Sequence, residues 1–161
     1  KCRCTPTQIR RYLNRVSGPF LDRIDIGVEV PRQDLGMMAA EKSIDEGSFP
    51  QTEQRNSSAV MRARVMEARA RQEKRFADES ISYNSQMTRR QIEEYCRLSG
   101  EEAVFLEKVE RQQGISARGH GKILKVARTL ADLDGQAEIG RTQLAEAIGF
   151  RSFEKKYWGS L

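Results

Sequence analysis

Apolar positions recur along this chain at two periods. Ile24, Ile26, Val28 and Val30 alternate with Asp25, Gly27 and Glu29, and Pro31 closes the run. Period two in β-branched residues predicts one strand, and Ser17-Gly18-Pro19 ahead of it predicts a turn. Elsewhere the period is helical. Ile9, Tyr12, Leu13 and Val16 share a face of a short helix that Thr5 caps and Pro6 opens. Met61, Val65, Ala68 and Phe76 share a face of the longest predicted helix, 57–76, with Asn56, Ser57 or Ser58 as its cap. After a loop over 77–87 come two capping boxes, Thr88-x-x-Gln91 and Ser99-x-x-Glu102. The first opens a helix bearing Ile92, Tyr95 and Cys96, with Met87 and Ile92 spaced as a hydrophobic staple. The second opens a helix bearing Val104, Phe105, Leu106 and Val109, which Gly114 ends. Ile123, Val126, Ala127, Leu130 and Leu133 stripe a helix over 116–134. Thr142 starts a last one, with Leu144, Ala145 and Ile148, stopped by Gly149.

The expected fold is therefore mainly α: a bundle of four or five helices preceded by one short helix and one orphan β-strand. Residues 1–31 form one unit and 56–150 the bundle. Residues 32–55, polar and acidic with Gly36, Gly47, Ser48 and Pro50, read as a linker, and 151–161 as an aromatic tail.

Charge changes this picture locally. The net charge is +5, but residues 55–75 carry seven basic side chains against Glu67 and Glu73, while 34–53 carry five acidic ones against Lys42. The basic stripe suits a polyanion, with Arg62, Arg69 and Arg71 as candidate DNA contacts, or simply a solvated helix face. No apolar run approaches the length of a membrane span. No signal peptide is visible, although the chain opens on Lys1. Three cysteines, Cys2, Cys4 and Cys96, suit a reducing compartment, and the cytoplasm is the expected location. Cys2-x-Cys4 lacks two further ligands for zinc, since Cys96 falls in a helix and His120 is the only histidine; no metal site is expected.

Candidate chemistry is sparse. Residues 116–123, SARGHGKI, imitate a phosphate-binding P-loop, but Ser116 replaces the first Gly and Ile123 the final Ser/Thr. No Walker B strand, paired carboxylates or catalytic triad is present. Arg23, beside Asp22 at the mouth of the expected strand, is a functional charge on a loop, or else caps the strand end or pairs with Asp22 or Asp25.

Residues 17–31, SGPFLDRIDIGVEVP, resemble the signature of the Mg-chelatase-like AAA+ ATPases of the ComM/YifB competence-associated family. So do the preceding CRCTPTQIRRYLNRV and the later LKVARTLADLDG. The resemblance implies that 1–31 end an ATPase core and 56–150 form its helical lid. It implies that Arg23 is an arginine finger reaching the γ-phosphate of ATP on a neighbouring subunit. It also implies a sensor-2 cation on the lid, with Lys125 and Arg128 as candidates and Arg118 as runner-up. By the same resemblance the P-loop lies upstream of Lys1, so ATP and Mg2+ belong to the complete protein and this chain alone should be inactive. Cys2-x-Cys4 looks like the end of a cysteine-rich stretch. The implied function is a ring-forming, hexameric motor acting on DNA during natural transformation. The alternatives are a metal-chelatase motor subunit or a stand-alone helical module binding nucleic acid or protein.

Overall fold

A computed structural model describes residues 3–30 and 57–151. The expected linker, Cys2, Arg55 and nearly all of the tail lie outside the described residues. Thr5 caps α1 (Pro6–Leu13) reciprocally: its hydroxyl accepts from the Gln8 N–H at 3.3 Å while the Gln8 side-chain oxygen accepts from the Thr5 N–H at 2.8 Å. No side chain of α1 is buried, and Ile9 and Tyr12 face solvent. Ser17-Gly18-Pro19 starts a single helical turn, α2 (Gly18–Leu21), capped by Ser17.

The expected strand does not form among the described residues. Residues 24–30 form no strand ladder, and Ile26, Val28 and Val30 are exposed. A strand exists through its ladder to a neighbour. Here the Gly27 N–H donates to the carbonyl of Phe150, at the end of a helix, at 2.9 Å. Alternation supplies the two faces of a strand but no partner.

The bundle is built from α3 (Ser58–Arg75), a 3-10 turn (Asn84–Gln86), α4 (Arg89–Tyr95), α5 (Gly100–Gln113), α6 (Ala117–Leu133) and α7 (Arg141–Gly149). α6 is its axis and packs on α3, α4, the 3-10 turn and α7. Ile123, Leu124, Ala127 and Ala131 of α6 meet Phe76, Met87, Leu106, Leu144 and Ile148 in one core. Ser57 is the cap of α3, and Thr88 and Gln91 form the expected box at α4. Met87 is buried, with Ile92 packed against the core, as a staple requires.

Three local expectations change. The Ser99 hydroxyl donates to the Glu102 carboxylate and makes no cap bond to the backbone. α7 starts from Gly140, and Gly149 lies inside it: the ladder continues through the Phe150 N–H to the Glu146 carbonyl at 3.1 Å. Gly114, by contrast, ends α5 at φ +67 as expected. Finally, α3 buries only Ala68 and Gln72. Met61 and Val65, on the same face nearer its start, are 51% and 44% exposed, because the described residues place nothing over them.

Candidate functional site

The loop carrying Arg23 is bound to the start of α6 and to the chain just past α7. Ser116, the N-cap of α6, donates its hydroxyl to Asp22 Oδ1 at 3.1 Å. Lys122 Nζ donates to the Arg23 carbonyl at 2.6 Å and pairs with Asp25 Oδ1 at 2.6 Å. Arg151, just past α7, donates to the Ile24 carbonyl at 2.9 Å and lies 3.8 Å from Asp22 Oδ1. Asp22 and Asp25 are thus engaged from the bundle. Arg23 pairs with neither. Its guanidinium is exposed and donates to the Pro19 carbonyl, at 2.9 Å.

The four basic residues of α6 separate into different roles. Arg118 is exposed and makes no side-chain hydrogen bond or ion pair among the described residues. Lys125 Nζ donates to the Ser85 carbonyl at 2.9 Å. Arg128 is 3% exposed and donates to the Ala137 and Gln136 carbonyls at 2.8 and 2.7 Å. The reason is rotational. At 3.6 residues per turn, Arg118, Lys122 and Lys125 fall close together, while Arg128 is carried about 80° from Arg118 towards the core. Arg118, Lys122, Lys125 and His120 line a groove of about 1230 Å³ with Ile92, Leu98 and Ile115. His120 Nδ1 stands 2.6 Å from Glu110 Oε1.

A buried polar cluster holds α3 to α6. Asp132 is 0% exposed and receives Arg75 through both carboxylate oxygens, Asn84 Nδ2 at 2.8 Å and Arg128 at 3.2 Å. Burial alone would raise the Asp132 pKa; the bonds from Arg75 and Asn84 and the charges of Arg75 and Arg128 outweigh it and hold the carboxyl below the usual range. Burial lowers the pKa of Arg128, against the opposing pull of Asp132. The Arg128 Nε has no hydrogen-bond partner among the described residues. Nothing in the sequence singled out Arg75, Asn84 or Asp132. The one available signal was the four-residue spacing of Arg128 and Asp132.

The basic stripe of α3 is divided by the same cluster. Arg75 is inside it, and Arg71 donates to the Asp132 carbonyl at 3.1 Å and lies 3.8 Å from Glu67. Arg69 lies over the Tyr83 ring at 5.5 Å, and Arg62 is exposed. Burial pushes the Cys96 thiol up to about 11, which leaves it a packing group. Among the described residues no His, Cys, Asp or Glu group could hold a metal, and no helix is long and apolar enough to cross a membrane. Residues 116–123, the P-loop imitation, are the cap and opening turns of α6.

Residues 55–151 match the family described as magnesium chelatase, subunit ChlI C-terminal, and residues 1–38 match magnesium chelatase, subunit ChlI. The chain belongs to this Mg-chelatase-like family. Within it, the chain is a ComM/YifB member. It is 40% identical over 151 residues to competence protein ComM of Haemophilus influenzae, covering 93% of this chain and 27% of that protein. It is 40% identical over 153 residues to the uncharacterized protein YifB of Escherichia coli, covering 95% of this chain and 28% of that protein. An uncharacterized Mycobacterium bovis protein is 30% identical over 150 residues, covering 93% of this chain and 27% of its own length. The chain therefore spans under a third of these relatives.

Proposed function

We propose that this chain is the lid and arginine-finger segment of a Mg-chelatase-like AAA+ ATPase, a cytoplasmic ring-forming motor that acts on DNA. Residues 1–31 end the ATPase core, and 56–150 are the lid. The observation that carries the reading is the state of Arg23: its backbone is fastened to the lid while its guanidinium projects unpaired with any carboxylate among the described residues. Arg118 stands one helical turn before Lys122 on the same face of α6 and, like Arg23, is exposed and paired with no carboxylate among the described residues. Two exposed, unneutralised guanidinium groups fit a phosphate chain, which each can grip as a planar fork. ATP with Mg2+, bound by the complete ring, supplies the transferable phosphoryl group. Arg23 is assigned to the γ-phosphate across the subunit boundary and Arg118 to the sensor-2 role, with Lys125 as its alternate. Arg128, consumed by the core, is the weakest of the three. The name of the Haemophilus relative, a competence protein, favours DNA over a chelatase substrate.

The test is Arg23→Ala in the complete protein. Hydrolysis should fall roughly 10³–10⁵-fold with nucleotide binding and folding preserved. Mixing these subunits with P-loop-defective ones should restore activity, because each supplies what the other lacks. Hydrolysis at the parent rate would make Arg23 a structural residue.

A further inference from the structure

Lys122 has no counterpart in the roles assigned so far. Its side chain is 14% exposed, an unusual setting for an ammonium that is strongly hydrated in water. Two oxygens replace that water: the Arg23 carbonyl and Asp25 Oδ1, each at 2.6 Å. We propose that Lys122 is a positioning residue for Arg23, fixing the finger loop to the opening turns of the lid's axial helix. This role rests on Arg23 being the finger.

The geometry separates Lys122 from the other two fasteners. Ser116 also caps α6, its hydroxyl accepting from the Gly119 N–H at 3.0 Å. Arg151 also packs at Gly119, where a Cβ would stand 3.9 Å from its Nε. Both therefore serve folding as well as the loop. Among the described residues, the polar contacts of Lys122 go to the loop alone. Asp22 is held on one side of Arg23 and Asp25 on the other, so the backbone at Arg23 is fixed at both flanks while its exposed guanidinium bonds, among the described residues, only the Pro19 carbonyl of its own turn. An arginine that must meet developing charge needs this: a misplacement of about 1 Å can cost about 10²-fold in rate. Lys122 thereby couples the stance of the lid to the reach of the finger.

The experiment uses the complete protein with Lys122→Met, which keeps the stem and removes the charge, and Lys122→Arg, which keeps a charged donor. For Lys122→Met, kcat should fall about 10- to 100-fold while KM for ATP stays within about twofold. Lys122→Arg should recover most of the loss. Adding Lys122→Met to Arg23→Ala should cost nothing further, because the residue it positions is already gone. Hydrogen exchange over residues 20–27 should accelerate in Lys122→Met and not in Lys122→Arg. If Lys122→Met fails to fold, Asp25→Asn, which alters an exposed carboxylate, should show the same kcat loss in smaller measure. A parent-like kcat, or additive losses in the double variant, would overturn the positioning role. If Arg23→Ala is itself parent-like, the finger reading fails and the positioning role with it, and the exchange data then show whether the loop was fastened at all.

Discussion

Arg75 and Asp132 lie 57 positions apart and meet as a two-pronged ion pair where α3 packs on α6, with the Nη1 bond at 2.8 Å. The carboxylate has no access to solvent, so its partners are the only substitute for water. Removing one partner of a buried pair strands the other charge and costs about 3–5 kcal/mol. Asp132→Asn should therefore lower the unfolding free energy by about that much in denaturant titrations. A loss below about 1 kcal/mol would mean the pair contributes little.

The same carboxylate sets a pH dependence. Its pKa in the fold lies below the ordinary value, so its contribution is fully present above the unfolded pKa of about 3.9 and is lost as pH falls through the folded value. The stability gap between the parent and Asp132→Asn should stay level from neutral pH to about 5 and shrink below about 4. A gap that widened in acid would contradict the direction of the shift.

Two glycines should respond oppositely to alanine. Gly114 adopts φ +67, where a Cβ costs about 1–2 kcal/mol. Gly149 lies inside α7, and a methyl group on its Cα would meet nothing within 4 Å. Alanine there should be neutral or stabilise by up to about 1 kcal/mol. Thermal melts of the two variants decide this.

On α3, charge reversal should separate surface from core. Arg62→Glu and Arg69→Glu should leave the melt nearly unchanged and, if the proposed contact of this stripe with DNA holds, weaken binding by the assembled protein alike for all sequences, most at low salt. Arg71→Glu should destabilise, because Arg71 holds the Asp132 carbonyl. Salt-independent DNA binding would leave the stripe a solvated face.

Cys96 gives a simple probe of the bundle. A buried thiol with a pKa of about 11 offers little thiolate at neutral pH. Its modification by a thiol reagent should wait for unfolding. Because Cys4 is exposed, the label is read at Cys96 by peptide mapping; rapid labelling there in the native protein would show that the end of α4 opens locally.

The helices were legible because their ends are written locally. Thr5 before Pro6, Thr88 with Gln91, and Gly114 each mark a terminus through residues within one turn of it. The stripe on α6 was legible because one period runs unbroken through Ile123, Ala127 and Leu130. What was not legible depends on partners distant in the chain. Arg128 and Lys122 look like members of one basic row until the bundle closes. Then Arg128 is drawn inwards by Asp132, and Lys122 by a loop 99 residues away. The 24–30 segment alternates like a strand, but a strand also needs a neighbour that no alternation can encode. Met61 and Val65 follow the helical period, yet burial of that face stops at Ala68.

That partial burial makes α3 a cantilever. Its anchored end, from Ala68 onwards, is bolted to α6 and the 3-10 turn by Gln72, Arg71 and Arg75. Among the described residues, 58–67 extend beyond that anchorage with their basic side chains unshielded. A rod joined by continuous hydrogen bonds transmits torque. A load on the free end would therefore pass Ala68 and reach α6 through Arg71 and Arg75 at Asp132, near the far end of the helix whose opening turns hold the Arg23 backbone.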